Sequence, residues 1–113
     1  MQQALNTDAL AELRELMGDA LNDVIRTFID YMPEQVDSLS SAINTKDADT
    51  VFNVAHKMKS SCGSIGAIGL AQLAEEIEMI GRSGTTENTS VLFEKLRDLY
   101  TEVDAQLKAE LEK

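Results

Sequence analysis

A chain of 113 residues is long enough to bury one core but too short to carry a nucleotide-binding kinase module beside it, so a single domain, residues 1–113, is expected. One Pro, no Trp and only 4% aromatic residues, against a background rich in Ala, Leu, Glu and Met, favour helix over sheet. A net charge of −10 argues against a nucleic-acid or anionic-membrane partner, both of which need clustered Lys and Arg, and the single Cys62 can close no internal disulfide.

No charged-then-apolar leader opens the chain and no long apolar run follows, which predicts a soluble cytoplasmic protein. Thr7 is an N-cap candidate for a short first helix with apolar positions at Leu10, Leu13, Leu16 and Met17, stopped by Gly18. From Asp19 to about Ile43, Leu21, Ile25, Phe28, Met32, Val36, Leu39 and Ile43 trace one helical stripe. Pro33 lies inside it and predicts one long helix kinked just before the proline. Asp47 is the expected N-cap of a third helix with its stripe at Val51, Ala55, Met58, Cys62 and Ile65, ended by Gly66. From about Ala67 to Arg82, Leu70, Leu73, Ile77 and Ile80 should point inward, and Gly81 to Gly84 reads as a stop and a loop. A last helix starts near Thr86 or Ser90 and reaches Glu112, with Leu92, Leu96, Leu99, Val103 and Leu107 on one face. The expected class is all-α: an antiparallel four-helix bundle with a short additional N-terminal helix covering one end.

His56 is the only histidine. At 100° per residue it lies about 140° from the centre of its helix's apolar stripe, so it should face solvent, with Phe52, Lys59, Ser60 and Gly63 as neighbours within two turns. A neutral imidazole, whose ordinary pKa lies near physiological pH, can attack through Nε2 without a strong base while Nδ1 keeps the proton. A solvent-facing histidine beside a lysine and small residues therefore suits a phosphoryl-accepting nucleophile. Phe52, one turn earlier and off the stripe, should be at least partly exposed, where a large apolar side chain marks a contact.

Lys59 follows His56 at three residues, Gly63 at seven, and Gly66-Ala67 at ten and eleven, after which Leu70, Leu73, Ile77 and Glu78 come at helical spacing. This series resembles the signature of the histidine-containing phosphotransfer (HPt) domain: His-x-Leu-Lys-Gly-Ser-Ser, three residues, Gly-Ala, x-x-Leu, x-x-Leu, then Leu-Glu. The resemblance implies that His56 accepts the phosphoryl group, that Glu78 orients the ring from the neighbouring helix through Nδ1, and that Lys59 offsets phosphoryl charge. Phe52, Ser60 and Gly63, which share the face of His56, are then expected to lie where a partner docks. The partners would be receiver domains of response regulators or hybrid sensor kinases, with magnesium on the receiver. No cofactor or metal is expected on this chain, which should act as a monomeric phosphocarrier and not as an enzyme. No Gly-rich phosphate loop or ATP-binding motif is visible in it.

Beyond apolar exchanges such as Met58 for leucine, the sequence departs from the signature at two places near the histidine. Ser60 stands where the family has glycine and either narrows the approach to His56 or hydrogen-bonds phosphoryl oxygens; Cys62 replaces a serine but falls on the apolar stripe as a small filler. The dimerisation domain of a sensor kinase would place an acidic residue directly after its histidine, whereas here Lys57, Met58 and Lys59 follow. A helical adaptor that never carries phosphate, and the detached first domain of a chemotaxis-type histidine kinase, are the alternative roles.

Overall fold

The computed structural model describes Leu5 and residues 7–112. Five helices run in order: α1 Thr7–Met17, α2 Ala20–Asn44, α3 Ala48–Ser64, α4 Ile68–Arg82 and α5 Thr89–Leu111, with no strand among the described residues. At 1.5 Å per residue the 25 residues of α2 reach about 37 Å, most of the 41 Å long axis of the molecule. Pro33 lies inside this one continuous helix on its exposed side, where water can reach the carbonyl that the missing N–H leaves unbonded. Helices α2, α3, α4 and α5 each pack on the next, and α5 packs back on α2, which closes the four-helix arrangement.

The two turns that flank α3 position the site. At the end of α2, Lys46 takes a left-handed conformation (φ 57°), and the Asp47 N–H returns to the Ala42 carbonyl at 2.9 Å. Asp47 then caps α3: its Oδ1 accepts from the Thr50 N–H at 3.1 Å and its Oδ2 from the Thr50 hydroxyl at 2.6 Å. These two bonds hold the Asp47 carboxyl below its ordinary pKa. At the other end Gly66 has φ 82°, a conformation glycine adopts without a Cβ penalty, and the Ala67 N–H bonds the Cys62 carbonyl at 2.9 Å. This closure turns the chain back on itself within three residues and lays α4 antiparallel against α3.

The expected stripes form the core. Leu21, Ile25, Met32 and Leu39 of α2, Val51, Met58 and Cys62 of α3, Leu70 and Ile77 of α4, and Leu96, Val103 and Leu107 of α5 have no exposed surface. Each of the larger side chains contributes about 1.5–3 kcal/mol by leaving water. Val36, Ile43, Leu92 and Leu99 are half-buried at the core margin. Ile80, which was expected to point inward, is only half-buried and does not belong to the core. Val54, Ala42 and Phe93 also join the core, each three residues from a buried position named above (Val51, Leu39 and Leu96), because each helix is flanked by two neighbours and buries a broader arc than the one expected.

Helix α1 packs on α2 and is held to the end of α5 by Arg14. This guanidinium bonds the Gly18 carbonyl at 3.0 Å, Asn22 Oδ1 at 2.9 Å and Glu110 Oε1 at 3.2 Å. Leu10, Leu13 and Met17 face the bundle, whereas Leu16 is 83% exposed and does not belong to the stripe where it was expected. Its position falls on the far side of a helix that packs along one face only. Thr7 is the first residue of α1, and the capping role expected of its side chain lies outside the described part of the structure. Helix α5 begins at Thr89, between the two expected starts, after Asn88 in a left-handed conformation (φ 67°), with the buried Thr89 hydroxyl donating to the Thr86 carbonyl at 2.6 Å.

Candidate functional site

The α3–α4 pair forms an antiparallel hairpin about the Gly66-Ala67 turn, so residues equally far before and after Ala67 meet across it. His56 and Glu78 are such a pair. His56 points outward with 55% of its side chain exposed, while the Glu78 side chain keeps only 11%. Nδ1 of His56 lies 2.9 Å from Glu78 Oε2. A carboxylate can only accept, so Nδ1 carries the proton and donates it, leaving the Nε2 lone pair for solvent.

Lys59, one turn beyond His56, approaches the other carboxylate oxygen, with Nζ 2.8 Å from Glu78 Oε1. The ion pair is the contact made by the buried Oε1, which has no further hydrogen-bond partner among the described residues. Burial alone would push the Glu78 carboxyl up, but the Lys59 ammonium and the His56 ring outweigh it and hold the carboxyl below its ordinary value. Reciprocally, the contact with Glu78, working against partial loss of water, holds the Lys59 ammonium above the usual lysine value. The resemblance implied that Lys59 offsets phosphoryl charge; in this structure it is paired with Glu78.

Phe52 is half-buried, and its ring stacks on the His56 imidazole with centroids 6.1 Å apart and planes 22° apart. The imidazole is thus confined by an aromatic face on one side and by the Glu78 bond at Nδ1. Ser60 and Gly63 are both exposed on the His56 face of α3. Ser60 is one residue past Lys59 and so about 100° round the helix from it; its carbonyl accepts from the Ser64 hydroxyl at 2.9 Å. Gly63 is a helical residue where an added Cβ would meet nothing within 4 Å, so no intramolecular packing explains the glycine. Cys62 is fully buried, and burial pushes its thiol up to about 12, which makes it a core filler and not a nucleophile.

All six residues singled out in the sequence therefore meet on one surface of the α3–α4 hairpin. The stacking of Phe52 on His56 and the Lys59–Glu78 pair were not foreseen. Pairing residues across the Gly66-Ala67 turn, a signal present in the sequence, would have aligned His56 with Glu78 and Lys59 with the turn of α4 before it.

A bundle that presents one imidazole to solvent, its inner nitrogen held by a buried carboxylate, is the architecture of a phosphohistidine carrier. The family described as Hpt domain is matched by residues 23–106, and the chain belongs to that family. Its backbone is similar to the crystal structure of histidine-containing phosphotransfer protein B (HptB) from Pseudomonas aeruginosa PAO1, at 28% identity and a TM-score of 0.92 over 99% of this chain and 97% of that one. It also resembles the histidine-containing phosphotransfer domain of ArcB from Escherichia coli, at 27% identity and a TM-score of 0.79, over 95% of this chain and 92% of that domain. Among curated sequences, the signal transduction histidine-protein kinase BarA of Escherichia coli (strain K12) is 29% identical over 94 residues, which is 81% of this chain and 10% of that protein. The chain spans about a tenth of the length of the curated relatives it matches. No helix among the described residues is long and apolar enough to cross a membrane.

Proposed function

We propose that this chain is a phosphorelay intermediate in which His56 takes a phosphoryl group from the aspartate of one receiver domain and passes it to the aspartate of another. The observation that carries the reading is the 2.9 Å bond from His56 Nδ1 to Glu78, which fixes the tautomer and turns Nε2 outward. In the forward step the Nε2 lone pair attacks phosphorus, the P–N bond forms, and the P–O bond to the aspartyl carboxylate breaks. The aspartate leaves as a carboxylate. No proton has to leave Nε2, because in this tautomer none is there. The product is an N-phosphoryl imidazolium whose ring charge faces Glu78, and the reverse sequence on a second receiver returns the neutral imidazole.

Lys59 is placed to leave Glu78 and pair with a phosphoryl oxygen once the ring becomes cationic and takes over the carboxylate. Catalysis is then positioning and electrostatics at an interface, with magnesium supplied by the receiver. Phe52, Ser60 and Gly63 form the ground on which the receiver docks. The working form is a monomer in the cytoplasm. A transfer assay against a panel of phosphorylated receiver domains tests the reading: at least one should lose its label to this chain within seconds to minutes. If receivers bind and none transfers, the chain is an adaptor.

A further inference from the structure

Gly81 is buried in α4 against the backbone of α3. A Cβ there would lie 2.8 Å from the Phe52 nitrogen, 2.9 Å from the Ala48 carbonyl oxygen and 3.2 Å from the Phe52 Cα. The first two atoms are the donor and acceptor that pair across the first turn of an α-helix, so no change of rotamer can relieve the clash. Helices α3 and α4 would have to separate by about 0.6 Å to bring the closest contact to the 3.4 Å where ordinary van der Waals contact begins.

This contact is one rung away from the site. Gly81 is three residues after Glu78 and so shares its face of α4, while Phe52 is four residues before His56 and shares its face of α3. The Gly81–Phe52 contact and the His56–Glu78 bond are therefore successive rungs of one antiparallel seam. A glutamate is already the longest carboxylate side chain, and its bond to Nδ1 stands at 2.9 Å. Opening the seam by a further half ångström or so takes it towards 3.5 Å, beyond which a hydrogen bond is lost. Packing tolerates such a shift, but the orientation of the imidazole does not.

We propose that Gly81 is a positioning residue: by letting α4 rest on the α3 backbone, it sets the helix spacing at which Glu78 reaches His56 Nδ1. This rests on the reading of His56 as the phosphoryl acceptor. The test is Gly81→Ala in the full chain, read by proton–nitrogen correlation NMR of the imidazole, which is unambiguous with one histidine, together with transfer from a phosphorylated receiver. The native chain should show the Nδ1–H tautomer as the majority form. Gly81→Ala should lose it to the extent that Glu78→Ala does and should slow transfer about tenfold. Val103→Ala, a core truncation in α5 away from the seam, should lower stability without moving the tautomer.

If Gly81→Ala does not fold, Ala74→Val provides a second opening of the same seam, since Ala74 is fully buried one turn before Glu78. An unchanged tautomer in a folded Gly81→Ala or Ala74→Val overturns the proposal, and normal transfer alongside would leave the phosphorelay reading standing. A shifted tautomer in a chain that accepts no phosphoryl group from any receiver supports the role of Gly81 and overturns the phosphorelay reading.

Discussion

Replacing Gly63 by alanine should move stability and function in opposite directions. Gly63 is helical and exposed, and a Cβ built on it meets nothing within 4 Å, so the fold gains from the substitution and loses no contact. In a helix interior the gain would approach 1 kcal/mol. Gly63 is the penultimate residue of α3, where part of the backbone is already free to fray, which reduces the expected gain to about 0.5 kcal/mol. For a domain of this size that raises Tm by about 2–4 °C. The same methyl stands two turns from His56 on the surface where a receiver must approach, and should raise the receiver concentration for half-maximal transfer several-fold. Thermal melting and a receiver titration on one preparation measure both. A variant that is more stable and transfers normally refutes the docking role of Gly63; one that is less stable refutes the reading of its surroundings as open.

Phe52→Ala should raise the receiver concentration for half-maximal transfer about tenfold. The half-buried ring should cost about 1–2 kcal/mol of stability, less than a fully buried phenylalanine; a loss of several kcal/mol with normal transfer would make it a core residue only. The depressed carboxyl of Glu78 stabilises the fold fully above the unfolded value of about 4.3, and this contribution is lost as pH falls through the folded value. The urea midpoint should therefore drop between about pH 6 and about pH 3, and drop less in Glu78→Gln; equal drops would remove Glu78 as a source. With its thiol pushed up to about 12, Cys62 should hold on the order of a thousandfold less thiolate at pH 8 than an ordinary thiol near 8.5. Rapid stoichiometric labelling of the native chain by a thiol reagent would contradict its burial.

The helices were legible because their apolar residues recur at three and four and because Asp47 and Gly66 mark the two ends of α3. Leu16 misled, since periodicity in α1 cannot say which of two adjacent leucine directions meets a neighbour when only one does. Phe93 and Val54 were missed for the converse reason: a helix with two neighbours buries more than one stripe. At the site, one histidine off the apolar stripe, together with the resemblance of the series from His56 to Glu78 to the HPt signature, was enough to name the residues that meet. The pairing of Lys59 with Glu78 depends on side-chain reach across the hairpin, and the constraint at Gly81 depends on backbone separation. Neither quantity is written in residue spacing alone.

The central claim is that Nε2 of His56 carries the phosphoryl group, and phosphorus NMR of the chain after transfer from a phosphorylated receiver measures it most directly. One acid-labile, base-stable P–N signal assigned to Nε2 is expected, absent from His56→Gln, whose helicity should match the parent and whose melting should fall only slightly, since the Gln amide can still donate to Glu78. A signal on Nδ1 would contradict the orientation by Glu78, and label persisting in His56→Gln or residing on a carboxylate would contradict the account as a whole.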